Sequence, residues 1–107
     1  MIDFESHRSG NSYIHFQFCD YMDSNVNIHN SFEFIYICHG HYNLYINAKK
    51  YEMKDDTCAL ILPGQIHHIE TVEPFDSPNY KNPQKPFLCF FSADTVKEFS
   101  YYIQNFA

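Results

Sequence analysis

The 107-residue chain has no tryptophan, no Cys-x-x-C pair and no cluster of lysines or arginines. Its net charge is −6, so its surface repels phosphate backbones, and this chain alone is not expected to bind nucleic acid. No apolar run is long enough to span a membrane. The opening "MIDFESHRSG" has no apolar core, so no secretory signal is read there. Cys19, Cys38, Cys58 and Cys89 are widely scattered. An even count allows two disulfides in three pairings. Three of the four sit in apolar, strand-like runs, where free cysteine acts as a small hydrophobe. The expectation is therefore reduced, structural cysteines and a cytoplasmic setting.

What is present favours strands. Aromatic residues reach 19%, with eleven Phe and nine Tyr, in a chain that is 45% apolar. Aromatic and β-branched residues fit a pleated surface. At this length one domain with one core is expected. Residues 1–12 are mixed and polar and read as a flexible N-terminal arm. Strands are expected at "YIHFQF", "FEFIYIC", "YNLYI", "YEM", "CALIL", "HHIETV" and "FLCFF". The stretch "DYMDSNVN" reads as a loop, and "EPFDSPNYKNPQKP", with four prolines, as a long surface excursion. No β-α-β rhythm and no internal repeat occurs. Five to eight short strands with regular turns point to a sandwich or barrel spanning 13–92. In 93–107 the period changes: Val96, Phe99, Ile103 and Phe106 fall on one helical stripe, with Tyr102 beside them. Ser92, Asp94 and Thr95 each offer a capping oxygen, and Thr95 with Glu98 fits a capping box.

Two polar islands interrupt the apolar strands. One is Asn27, His29 and Glu33; the other is His67 and His68, after "LPGQI". In a regular strand His29, Glu33, Ile35 and Ile37 share a face. Three readings of His29, Glu33 and His67 stand. They could ligate a divalent metal, since imidazole and carboxylate suit Zn, Fe, Mn or Ni. They could hydrogen-bond one another, which offsets the cost of a buried carboxylate. Or they could fix a small molecule in an apolar pocket. Tyr13, Tyr36, Tyr42 and Tyr45 could line that pocket or belong to core and interface packing. His39 and His41 read as strand-end surface residues. His68 alternates with His67 and should face the other way.

The spacing H-x-x-x-E-x-x-x-x-x-x-G at His29, Glu33 and Gly40, with "PGQIH" at Pro63–His67, resembles the two cupin motifs. The run from "SFEFIYICHG" to "LILPGQIHHIE" is similar to the N-terminal sensor domain of AraC/XylS-type transcription regulators. The resemblance covers residues 27–70 closely. It implies a mainly β fold, a double-stranded β-helix (cupin jelly roll) with a C-terminal α-helix. It also implies effector sensing, dimerisation through helices after the barrel, and DNA contact only through a helix-turn-helix domain that this chain lacks. The implied partners are a small-molecule effector, such as a sugar, and a second copy of the chain, with no membrane. The implied ligand contacts are His29, Glu33 and His67, then Tyr36 and Tyr45. No catalytic residue or cofactor is expected, although the same trio is the candidate metal set. The alternative is a stand-alone metal-dependent cupin enzyme, an isomerase or dioxygenase. Three departures bear on this. Asn27 stands where a metal-binding cupin has a further histidine. Ala48 stands where the family's hairpin has glycine. Asp56-Thr57 stands where Gly-Asp is usual, and Asp tolerates a left-handed backbone better than most residues.

Overall fold

Alternating apolar and polar positions build two facing sheets in the computed structural model, which describes residues 3–5, 13–24 and 26–98. The strands are β1 (Asp3–Glu5), β2 (Ile14–Phe18), β3 (Asn27–His29), β4 (Phe32–Ile37), β5 (His41–Ile46), β6 (Lys49–Met53), β7 (Thr57–Ile61), β8 (His67–Glu73) and β9 (Phe87–Phe91). One sheet has the order β1-β3-β8-β5-β6 and the other β2-β9-β4-β7. All pairings are antiparallel except β1 with β3. Residues 3–5 of the expected arm thus form a strand; the remainder of 1–12 lies outside the described residues.

The core lies between the sheets. Ile35, Ile37 and Ile61 from one side meet Leu44, Tyr42 and Met53 from the other, all nearly solvent-free. Tyr42 is therefore a core residue and not a pocket wall. Its hydroxyl oxygen accepts the Phe75 N–H at 3.0 Å, which tethers the long loop that starts at Pro74. Gly40 permits this packing. Its φ is +114°, and a Cβ there would lie 2.7 Å from the Tyr42 ring and 3.0 Å from the Glu73 carbonyl. The β5–β6 turn is formed by Asn47 (φ 48°) and Ala48 (φ 69°). Tight hairpins of this kind need positive φ at both central residues, so Ala48 occupies a glycine position under strain.

His29 and Glu33, which a regular strand would place on one face, lie on two separate strands. The chain leaves the five-stranded sheet after β3 and enters the four-stranded sheet at β4. Yet His29, Ser31, Glu33, Ile35 and Ile37 are all buried. The inward parity survives the corner, and His29 and Glu33 reach the same interior from opposite sheets.

The outward face of the four-stranded sheet is unusual. The outward positions of β2 (Ile14, Phe16, Phe18) are 54%, 60% and 70% exposed. Phe16 and Phe18 pack on Phe87 of β9 at 5.8 and 5.5 Å, and Phe32 of β4 stacks on Phe91 at 5.1 Å. Residues 93–98 are helical. Ser92, rather than Thr95, caps this helix: its Oγ accepts the Thr95 N–H at 3.2 Å. Thr95 Oγ1 instead donates to the Tyr13 carbonyl at 2.8 Å and accepts the Tyr13 N–H at 2.9 Å, because the helix starts directly after β9, beside β2. Phe99, Tyr102, Ile103 and Phe106 lie outside the described residues. Among the described residues no helix is long and apolar enough to cross a membrane. All four cysteines are free, Cys19 buried and Cys58 exposed.

Candidate functional site

His29, Glu33 and His67 are 4%, 5% and 3% exposed and converge between the sheets. Glu33 Oε1 lies 3.0 Å from His29 Nε2 and 3.3 Å from His67 Nε2. The two imidazoles meet edge to face, centroids 4.9 Å apart, and Phe90 packs edge-on against His29 at 5.7 Å.

Local sequence sets each ring. At the corner after β3, the Ser31 carbonyl turns back to His29 Nδ1 at 3.0 Å. In the "LPGQIH" turn, the Gln65 carbonyl reaches His67 Nδ1 at 3.0 Å. Gly64, with φ +83°, donates its N–H to the His29 carbonyl at 2.9 Å, which ties the second motif to the first. Carbonyls at both Nδ1 atoms orient the two rings, so both Nε2 atoms point at one carboxylate oxygen. Burial pushes the Glu33 carboxyl up, but the hydrogen bonds from His29 and His67 outweigh it, and the net shift is below the usual carboxylate range.

Glu33 Oε2 makes no hydrogen bond within the described residues. Beside the trio lies a cavity of about 200 Å³. Its polar wall includes Gln17, Asp23 and Asn27, and its apolar wall includes Met22, Leu88 and Phe90. Cys19 and the first part of the expected loop, Tyr21 to Ser24, supply much of this wall. The segment is stitched to β8: Ser24 N–H donates to the Ile69 carbonyl, Ile69 N–H to Ser24 Oγ, and Thr71 N–H to Asp23 Oδ1. The buried Met22, an apolar residue in an Asp- and Asn-rich run, was the signal in the sequence.

The other candidates fall elsewhere. Tyr36 and Tyr45 sit at outward strand positions, not at this cavity. Tyr36 donates to Asp56 at 2.8 Å, and Tyr45 donates to Glu70 at 2.9 Å while stacking on His68 at 4.5 Å. Strand parity alone excludes them, since their neighbours Ile35, Ile37 and Leu44 point inward. His68 faces away from His67, as alternation requires, but is half-buried under Tyr45. His39 accepts the Gln84 N–H at 3.1 Å, and His41 Nε2 lies 3.4 Å from Glu52. A second cleft, about 530 Å³, opens between the free edges of β6 and β7 over Leu44, Met53 and Ala59. It is larger than the trio's cavity but holds no comparable cluster of convergent polar groups. Among the described residues, His29, Glu33 and His67 are the one group whose donor atoms could hold a metal, all within 4.8 Å of one another.

The sequence profile described as AraC-like ligand binding domain matches residues 14–78, more than half of the chain. Among curated proteins, no sequence matches. Solved structures resemble the chain to differing degrees. The cupin domain of Cnp3 from Schizosaccharomyces pombe is 13% identical with a TM-score of 0.53, over 84% of this chain and 60% of that one. The plu4264 protein from Photorhabdus luminescens is 13% identical (TM-score 0.48, 86% of this chain, 63% of that one). A predicted oxalate decarboxylase from Thermotoga maritima is 20% identical (TM-score 0.49, 76% and 64%). The chain thus spans less than two thirds of each. At 13% identity the likeness to the Cnp3 domain is one of fold, the cupin-type jelly roll.

Proposed function

Because the chain belongs to the AraC-like ligand-binding domain family, we propose that it is the effector-sensing part of a transcription regulator of that kind. The effector binds in the cavity beside His29, Glu33 and His67. The observation that carries this reading is a buried, oriented polar trio opening on a small, half-apolar cavity. At about 200 Å³ the cavity is below the ordinary range for drug-sized ligands, roughly 300–1,000 Å³. It suits a molecule of monosaccharide size or less. Glu33 Oε2 accepts a hydroxyl from one face of such a ligand, while Leu88 and Phe90 cover its C–H face. The domain works in the cytoplasm as a homodimer without catalysing a reaction, and reaches DNA through a separate domain. A ligand that binds one arrangement of the domain more tightly shifts the population toward it. Calorimetry with a panel of sugars and polyols tests this. For any that bind, Glu33→Gln and His29→Ala are expected to weaken affinity tenfold or more with the fold intact by circular dichroism. Unchanged affinity in both variants overturns the assignment of the cavity.

A second reading is favoured by the donor set itself. Two imidazole Nε2 atoms and a carboxylate, with both Nδ1 atoms held by carbonyls, fit a two-His, one-carboxylate metal centre, in which such outer hydrogen bonds orient the ligands. Asn27 is a poor fourth ligand. A metal bound there would act as a Lewis acid toward a ligand in the cavity, and a metal-dependent isomerase or dioxygenase is the corresponding enzyme. Elemental analysis separates the two. Near-stoichiometric Zn, Fe, Mn or Ni that is lost in His67→Ala supports the metal centre; less than a tenth of an equivalent supports the metal-free sensor.

A further inference from the structure

The cavity beside the trio is lined by charge of one fixed sign. Two carboxylates belong to its wall, Glu33 from β4 and Asp23 from the loop before β3. Among the described residues no lysine or arginine lines it. Lys85 approaches this part of the chain, but its Nζ lies 2.8 Å from Asp20 Oδ1, and neither residue belongs to the wall. The other groups able to carry positive charge are imidazoles. His29 and His67 already face Glu33. His15 stands outside the wall, its Nε2 3.3 Å from Gln17 Oε1. Asp23 forms no ion pair among the described residues. It is held by neutral donors, the Thr71 N–H and the Tyr21 side chain, which fix the carboxylate and leave its charge uncompensated.

A cleft lined by one sign of charge, with low-dielectric walls, focuses the field inside it. A guest bearing a carboxylate or phosphate would be a third anion in about 200 Å³. An ammonium matches the wall instead. It offers three N–H donors and no acceptor, against acceptor oxygens on Glu33, Asp23 and Asn27. Hydrogen bonds between charged partners are about twice as strong as neutral ones. Phe90 and, at the rim, Tyr21 add aromatic rings, whose faces attract cations. We propose that the molecule this cavity takes carries a positively charged nitrogen: a small hydroxylated alkylammonium, not a carboxylate or a phosphate ester. The proposal rests on the reading of the cavity as a metal-free effector site and narrows it by charge. A neutral polyol can satisfy Glu33 through a hydroxyl, but it gives Asp23 nothing of opposite sign.

Three probes of similar size separate charge from shape: serinol (cationic), glycerol (neutral) and glycerate (anionic). Each is titrated into the isotope-labelled 107-residue chain at about pH 8, above the ordinary imidazole range near 6.5. The amide resonances of Asn27, His67 and Ile69 report occupancy of the cavity. Serinol should saturate these shifts at a concentration at least tenfold below glycerol, and glycerate should need at least tenfold more than glycerol. Asp23→Asn keeps an oxygen for the Thr71 N–H, so the wall stays in place. It should cut the preference for serinol over glycerol to threefold or less and leave glycerol binding unchanged. Glycerol or glycerate binding as well as serinol at these amides overturns the charge assignment, while the cavity stands as a binding site. An undiminished preference in Asp23→Asn overturns the role of that carboxylate and the proposal with it. Serinol shifts confined to amides outside the cavity, or no shifts with any probe, also overturn it.

Discussion

Ala48 shows how one residue can carry a measurable cost. A left-handed backbone at a non-glycine residue is disfavoured by roughly 1–2 kcal/mol, and Ala48 adopts φ 69° because the two-residue β5–β6 turn requires it. Ala48→Gly is therefore expected to stabilise the domain by about 1 kcal/mol, read as a higher midpoint in urea. Gly40 is the converse. Gly40→Ala adds a methyl into the Tyr42 ring and the Glu73 carbonyl at a positive φ, and should cost about 2 kcal/mol or more. Glu33 sets a pH dependence. Its folded pKa is depressed, so its contribution to stability is fully present above the unfolded carboxylate value near 4.5 and is lost as pH falls through the folded value. Glu33→Gln should flatten the acid limb of the stability profile, measured by denaturation at stepped pH. If the limb is unchanged, Glu33 is not the group responsible.

At the scale of elements, Asp23 and Ser24 tie their loop to β8 through one backbone bond and two side-chain bonds. Ser24→Ala leaves the Ile69 N–H without its Oγ acceptor, and a buried amide left unsatisfied costs about 1–3 kcal/mol. The expected result is faster hydrogen exchange at Ile69 than in the parent, with the β5–β6 amides unaffected. This segment also marks where the sequence was hard to read. Short runs of aromatic and β-branched residues, bounded by turn residues, located β4, β5, β8 and β9. Even spacing kept His29 and Glu33 on one side although the strand breaks between them, since a two-residue corner preserves parity. The local pattern carried no information about Asp23 and Ser24, whose partners are backbone groups of β8 some 45 residues away. Tyr36 and Tyr45 were assigned to the pocket by residue type, and their odd or even position against Ile35 and Leu44 was the stronger signal. Asn47-Ala48 was readable as a turn, but its strain was visible only through the family's usual glycine.

For the whole molecule, charge is the dominant constraint. With net charge −6 and no basic cluster, the chain has no means of releasing counterions from a duplex. An electrophoretic shift assay at physiological salt should show no DNA binding by this chain alone; a retarded band would contradict a division of labour between sensing and DNA contact. The two sheets also differ in character. One presents polar and charged residues outward, such as Glu70 and Lys50, and the other presents phenylalanine, so the molecule has one wet side and one oily side.

The corner between β3 and β4 has one more implication. It lets the two layers of the jelly roll each contribute part of a single polar knot, with His29 and His67 from one layer and Glu33 from the other. Whatever lodges beside that knot is gripped from above and below at once. A guest beside it meets side chains of both layers, so one too thick for the gap between them is excluded. Size, as much as hydrogen-bonding pattern, is what such an arrangement measures.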